Sequence, residues 1–264
     1  MRIVYNLCML NASQYIDMHC HLDFSPDALA LARAGKEKGL AFLSMTVDPR
    51  DFLNGAKELQ GESNVEVGAG LHPRWLADKK CSSQETDTLC TLIREFSLVG
   101  EIGLDFSGPY AHAREEQICA LERICKTCAT YGGKLLSIHA LRSASYSLDI
   151  IESCKAHESC TCIMHWFSGS NEELWRAINL GCWFSVNERM LATKRGAEYA
   201  KLIPAGHLLL ESDLPSQAGE HLSAEQLFTS FERTVEQLAR IRKIPDLAVL
   251  REQILANSLR AIPS

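Results

Sequence analysis

None of the apolar stretches in this 264-residue chain approaches the roughly 18 uncharged residues that a membrane-spanning helix needs. No transmembrane helix is therefore expected. A secretory signal is not expected either, because Asn6 and Asn11 interrupt the short apolar segment Leu7 to Leu10. An excess of basic charge is also missing. Lys plus Arg number 27 against 33 Asp plus Glu, a formal net charge of −6, which argues against a broadly basic nucleic-acid-binding surface. It leaves room for an enzyme whose positive charge is local, because a bound divalent cation is often the largest charge in a site. Low-complexity tracts, internal repeats and linkers are absent too, which favours one domain over residues 1–264.

What is present in unusual number is cysteine. The count of eleven is odd, and Cys20, Cys119 and Cys182 lie inside apolar or helical segments, as small buried thiols do. Cys125 and Cys128 form one CxxC, with Cys160 and Cys162 a separate pair. A lone CxxC is a weak zinc signal, so the chain reads as a reduced, cytoplasmic protein.

Hydrophobic residues make up 46% of the chain, enough for a sizeable core. Eight short runs predict strands: Tyr15 to Leu22, Leu40 to Val47, Val65 to Leu71, Leu98 to Phe106, Lys134 to Leu141, Thr161 to Phe167, Cys182 to Val186 and Leu208 to Asp213. Between them, apolar residues recur at three and four positions in Asp27 to Lys38, Arg50 to Gln60, Glu85 to Phe96, Ala113 to Tyr131, Ala144 to His157 and Glu172 to Leu180, which predicts helices. Strand and helix alternate, so the expected architecture is α/β, a (β/α)8 TIM barrel. Asn171 is the expected N-cap of one helix. A roughly 14-residue extension precedes the first strand, and residues 223–264 are expected to form C-terminal helices around Pro245.

The residues able to bind metals fall at the strand ends. His19 and His21 stand two apart at the end of the first strand, on one face because strand side chains alternate. Glu101 lies in strand four, His139 near the end of strand five, His165 near the end of strand six and Asp213 at the end of strand eight. In a TIM barrel the C-terminal strand ends converge on one rim, where active sites form. Four imidazoles and two carboxylates there suit Zn2+, Mn2+ or Mg2+. Glu101, with two oxygens, is the natural bridge between two divalent ions. Such a pair lowers the pKa of bound water and stabilises both oxygens of an in-line displacement, and Asp213 is the candidate for taking the proton of that water.

The strings IDMHCHLD (Ile16 to Asp23), GLHP (Gly70 to Pro73), GEIGLDF (Gly100 to Phe106), SIHALRSA (Ser137 to Ala144), MHWFSGS (Met164 to Ser170) and LLLESDLP (Leu208 to Pro215) resemble, in order, the motifs of the TatD family of metal-dependent deoxyribonucleases. The resemblance implies an amidohydrolase-type barrel, a one- or two-ion site and hydrolysis of DNA phosphodiester bonds, often as a 3′ to 5′ exonuclease on single strands. It implies that His19, His21, Glu101 and Asp213 hold one ion, and Glu101, His139 and His165 the other.

The chain departs from the family pattern in several places. Ser212 stands where the family usually has Thr. Arg142 comes three positions after the strand-five His rather than two, which puts its substrate-phosphate role in question. The loop over Ser216 to Ser223 is short and has no Arg or Pro. That loop and the opening HCHLDFSPDALALA also look like the TatD-type nuclease of the Qat antiphage defence systems, which implies action beside other proteins of such a system.

His72 and Ser168 are expected on loops above the rim, as contacts for a phosphate or leaving group. Trp75 and Trp166 are candidates for stacking a base. His112, His157, His207 and His221 have no motif context. DNA ends or single strands are the expected substrate. The competing readings are a metal-dependent hydrolase of an amide, lactone or small phosphoester, since such barrels change chemistry by changing loops, and a metal-stabilised partner-binding subunit of a defence complex.

Overall fold

The structure is a computed structural model that describes residues 13–263; the first twelve residues of the expected N-terminal extension lie outside them. Its strands are β1 (Tyr15–Cys20), β2 (Leu40–Met45), β3 (Val65–Gly68), β4 (Leu98–Asp105), β5 (Leu135–Leu141), β6 (Thr161–His165), β7 (Trp183–Val186) and β8 (Leu208–Leu210). The hydrogen-bonded neighbours β1-β2-β3 and β4 to β8 are parallel throughout. Two seams join these groups. Between β3 and β4, Ala69 bridges to Val99, and the Gly100 N–H donates to the Ala69 carbonyl at 2.8 Å. Between β8 and β1, the Asp213 N–H donates to the His19 carbonyl at 2.9 Å. The result is the closed eight-stranded parallel barrel that the strand and helix alternation predicts.

The chain is packed so tightly here that a Cβ on Gly70 would stand 2.8 Å from the Glu101 backbone nitrogen across the first seam and 1.8 Å from the Thr46 carbonyl oxygen just past β2. A buried cluster of Ile16, Met18, Ala41, Leu43, Met45, Leu98, Leu135, Ile163 and Leu209 fills the barrel, and Ala261 and Ile262 pack against it. The other strand faces, with residues such as Phe42, Ile138 and Phe184, join the core shared with the helices.

Twelve α-helices are described: α1 (Ala28–Glu37), α2 (Pro49–Glu58), α3 (Pro73–Ala77), α4 (Ser83–Leu92), α5 (Arg114–Tyr131), α6 (Ala144–Ser153), α7 (Ala156–Ser159), α8 (Asn171–Asn179), α9 (Glu188–Leu191), α10 (Lys194–Leu202), α11 (Ala224–Arg242) and α12 (Leu247–Ala261). Among them, α11 buries Leu227, Phe231, Val235 and Leu238 at helical spacing, each worth about 1.5–3 kcal/mol relative to exposure. The Asn257 side chain of α12 donates to the carbonyls of Ala205 and Leu208 at 2.7 and 2.8 Å, which ties the last helix to β8.

Several local expectations are revised. The segment Ala144 to His157 breaks into α6 and α7 at Lys155, whose φ is 58°, because a left-handed residue cannot continue a right-handed helix. The N-cap of α8 is Ser170, not Asn171: the Ser170 hydroxyl accepts from the Glu173 N–H while the Glu173 carboxylate accepts from the Ser170 N–H, a reciprocal capping box. The helices α3, α9 and α10 add to the expected set; α3 and α9 are too short to show an apolar period, and α10 buries Gly196, Tyr199 and Ala200 at helical spacing. Strand β8 stops at Leu210, so Asp213 lies beyond its end, with φ 54°. The Cys125 and Cys128 thiols of α5 are buried, and burial pushes both well up from their ordinary value, which makes them unreactive. No helix among the described residues is long and apolar enough to cross a membrane.

Candidate metal centre

Two strand irregularities aim the key side chains. The β1–β2 register shifts between Asp17 and Cys20, and the β4–β5 register shifts between Val99 and Glu101. Such bulges re-aim side chains next to functional sites, and these two sit at His19 and Glu101. Beside Glu101, Gly103 has φ 138°, and a Cβ there would meet the His139 carbonyl oxygen at 2.0 Å. Only glycine lets β4 and β5 approach this closely.

The six residues expected as ligands converge. The Nε2 atoms of His19 and His21 are 3.3 Å apart. Glu101 divides the site between its two oxygens. Oε2 faces His21 Nε2 at 3.4 Å and His19 Nε2 at 3.7 Å. Oε1 faces His165 Nε2 at 3.0 Å, His139 Nδ1 at 3.1 Å and His72 Nε2 at 3.0 Å. Asp213 Oδ1 lies 3.4 Å from His21 Nε2 and 3.8 Å from His19 Nε2. Three overlapping groups each bring their ligand atoms within 4.8 Å of one another: His19, His21 and Asp213; His19, Glu101 and His165; and His72, Glu101 and His139.

The donor set fits a cation. His21 Nδ1 lies 2.7 Å from the Met45 carbonyl, which can only accept, so Nδ1 carries the proton and neutral His21 presents a lone pair on Nε2. That lone pair faces two carboxylate oxygens. Acceptors facing acceptors need a positive charge between them, either a proton or a metal ion. Without a metal, protons fill this role. Burial alone would lower the His21 pKa, but Asp213 and Glu101 outweigh it and push it up to about 9. His165 is likewise raised well above its ordinary value, by Glu101 and Glu211 against the cost of burial. Burial opposes the charge on Glu101, yet His72, His139, His165 and His19 hold it well below the ordinary carboxylate range. Imidazole nitrogens and carboxylate oxygens are the donors of Zn2+, Mn2+ and Mg2+ sites.

Three of these imidazoles are oriented from behind, His21 by the Met45 carbonyl as above. His19 Nδ1 is 2.6 Å from the Ser137 hydroxyl. His139 Nε2 donates to Asp105 Oδ2 at 3.2 Å, and Arg74 Nε donates to the same oxygen at 2.7 Å. Such outer partners fix ring orientation and ligand basicity. Asp105 was not singled out in the sequence, although it stands four residues from Glu101 in the same strand, a spacing that favours a shared face.

His72 sits deeper than a rim loop residue. It is buried, it caps α3, and its Nδ1 accepts the Arg74 N–H at 3.1 Å. Its Nε2 therefore bears the proton and donates toward Glu101. Burial holds this imidazole down to about 4.

Above these groups opens a cavity of about 500 Å3, whose walls include Ser168, Trp75, Trp166, Arg74 and Arg189. Arg189 lies over the Trp166 ring at 4.5 Å and donates to Asp213 Oδ2 at 3.2 Å. Arg142 is exposed and does not line the cavity. Of the histidines without motif context, His112 links the Pro109 and Ala77 carbonyls and His207 stacks on Trp183.

With this geometry in hand, likeness to known proteins is informative. The Escherichia coli K12 metal-dependent hydrolase YjjV is 27% identical over 214 residues, covering 76% of this chain and 80% of YjjV. Its crystal structure superposes with a TM-score of 0.79, covering 95% of this chain and 98% of that one. Human deoxyribonuclease TATDN3 is 21% identical over 264 residues, covering 94% of each chain. The 3′-5′ ssDNA/RNA exonuclease TatD of Citrobacter koseri is 26% identical over 155 residues, covering 56% of each chain. The model of the family described as TatD related DNase matches residues 16–263. The chain belongs to the TatD-related DNase family and is a metal-dependent hydrolase of that family.

Proposed function

We propose that the protein is a deoxyribonuclease that hydrolyses phosphodiester bonds at DNA ends or in single strands, with 3′ to 5′ polarity, acting as one domain in the cytoplasm. The observation that carries this reading is the division of Glu101, whose Oε2 faces His19 and His21 while its Oε1 faces His139 and His165. This suits two divalent ions, Zn2+, Mn2+ or Mg2+, to each of which Glu101 could contribute an oxygen. His19, His21 and Asp213 would hold one with Glu101, and His139 and His165 would hold the other with Glu101. Bound there, such ions supply Lewis acidity toward phosphoryl oxygens and lower the pKa of coordinated water. The names of the human and Citrobacter relatives support a nucleic-acid substrate.

The chain's own residues supply the rest. Asp213, held by Arg189 at 3.2 Å, takes the proton of the attacking water as its oxygen adds to phosphorus. The bond from phosphorus to the leaving sugar oxygen breaks, and that oxygen recovers the proton that Asp213 took from the water, while His72, neutral with its Nε2–H directed at Glu101, orients that carboxylate. Ser168, on the cavity wall, offers a hydroxyl to a phosphate oxygen.

The test uses metal-loaded protein with end-labelled single- and double-stranded DNA, beside Glu101→Ala and Asp213→Asn and a panel of esters and lactones. Metal-dependent DNA cleavage lost in both variants is expected. Turnover of esters or lactones without DNA cleavage overturns the reading. The short loop after β8 and the opening HCHLDFSPDALALA support a cellular role in antiphage defence beside the other proteins of a Qat-type system. Plaque counts on cells carrying such a system with Glu101→Ala test that role, and unchanged protection refutes it.

A further inference from the structure

Outside the cavity, on the same rim, the loops after β4 and β5 carry a second arrangement that the hydrolytic site does not use. Phe106 directly follows β4, and its N–H donates to the Leu141 carbonyl at 2.9 Å. Leu141 lines the cavity, and Arg142 is the next residue. Arg114, the first residue of α5, lies over the Phe106 ring at 4.3 Å and within 5.3 Å of the Tyr146 ring centre. Phe106 and Tyr146 meet edge to face at 5.4 Å. Phe106 is buried, but Tyr146 is 44% exposed, so a large ring faces solvent on an arginine-backed platform.

The charge pattern points the same way. In this acidic chain Arg50, Arg74 and Arg189 are paired to carboxylates, yet the exposed side chains of Arg114 and Arg142 make no hydrogen bond or ion pair among the described residues. Arg142 is also held at φ 56°, a conformation that non-glycine residues adopt at a cost and that clusters at functional sites. One unpaired guanidinium, Arg114, lies against the exposed aromatic face, and a second, Arg142, stands four positions before Tyr146 in the chain, a combination that suits single-stranded nucleic acid, in which phosphate contacts alternate with base stacking.

We propose that Phe106, Arg114, Arg142 and Tyr146 form an outer nucleotide subsite, continuous with the cavity, where a base stacks on Tyr146 and phosphates pair with Arg114 and Arg142. It rests on the nuclease reading and adds to it a strand that extends away from the cleaved bond across β4 and β5. A strand of several nucleotides reaches the platform; a dinucleotide held at the metal centre does not.

Fluorescence anisotropy with metal-loaded protein and cleavage-resistant phosphorothioate thymidine strands tests the subsite. The wild type is expected to bind a dodecamer more tightly than a dinucleotide. Tyr146→Ala and Arg114→Ala weaken dodecamer binding about tenfold and leave the dinucleotide unchanged, and Tyr146→Phe, which keeps the ring, binds as the wild type. Arg114→Ala and Arg142→Ala each make the plot of log affinity against log salt shallower by about 0.7. The proposal is overturned by equal wild-type affinity for both lengths, by unchanged dodecamer binding in Tyr146→Ala, or by equal loss in Tyr146→Phe and Tyr146→Ala. The nuclease reading is judged separately by wild-type cleavage of ordinary DNA, so the two can fail independently.

Discussion

Ser212 donates twice to the carboxylate of Asp17, through its backbone N–H at 2.9 Å and its hydroxyl at 2.6 Å. Asp17 belongs to β1, and Ser212 lies just past β8, so this pair closes the barrel at the point where the metal-facing residues begin. Asp17 Oδ1 also accepts the His19 N–H at 3.2 Å. The neighbours of the pair in sequence, His19 and Asp213, are thus placed by one buried carboxylate. A hydroxyl at position 212 therefore does structural work, which explains why serine can stand where the family usually has threonine.

Replacing Asp17 by Ala leaves the Ser212 N–H and hydroxyl buried without an acceptor, which should cost on the order of 2–3 kcal/mol. Ser212→Ala, which keeps the backbone donor, should cost less. A double-mutant cycle by chemical denaturation should give strongly non-additive losses. Additive losses would show that the two residues act independently.

Asp105 offers a different test, because it touches His139 from behind. Asp105→Asn keeps the side-chain volume but loses the carboxylate that accepts from both His139 Nε2 and Arg74. Metal affinity should fall about 10- to 100-fold, and activity should recover as the metal concentration rises. If activity stays low at saturating metal, Asp105 acts on the reaction itself and not through His139.

How far the site could be read in advance follows from where each residue sits. His19, Glu101, His139 and His165 lie in or at the ends of strands, where alternation and barrel convergence predict their meeting. The bulges that aim His19 and Glu101 have no sequence signal, because a register shift depends on the partner strand. Arg74 and Arg189 escaped notice because they stand on α3 and α9, helices too short to show an apolar period. His72, expected above the rim with Ser168, lines the cavity as Ser168 does and also reaches Glu101. Arg142, whose substrate-phosphate role the shifted spacing puts in question, lies outside the cavity, past the point where β5 ends.

Arg189 contacts both oxygen types at the turn after β8, the Ser212 and Asp213 carbonyls at 3.3 and 3.1 Å and the Asp213 carboxylate at 3.2 Å. It also stacks on Trp166. A lysine keeps the charge but neither the fork of donors nor the planar stack. Arg189→Lys should therefore lose nearly as much kcat/KM as Arg189→Ala, about tenfold or more in each. Retention of wild-type kinetics by Arg189→Lys would reduce the role of Arg189 to charge alone.

Metal removal should be visible in stability, independently of any substrate. Five imidazoles and two carboxylates are gathered around Glu101 and Asp213, and without a metal ion the facing acceptors depend on protons for compensation. A divalent ion that binds only the folded chain at 100 times its dissociation constant adds about 2.7 kcal/mol. For a chain of this size that raises Tm by roughly 5–11 °C. Melting the wild type in chelator and again with excess Zn2+, Mn2+ or Mg2+ should show this gain, and the ion giving the largest gain at equal concentration binds most tightly. Glu101→Gln removes the charge from the oxygens that face both groups of imidazoles, so its melting temperature should respond little to metal. A full metal-induced gain in Glu101→Gln would show that the ions are held without Glu101, and the bridging arrangement would have to be abandoned.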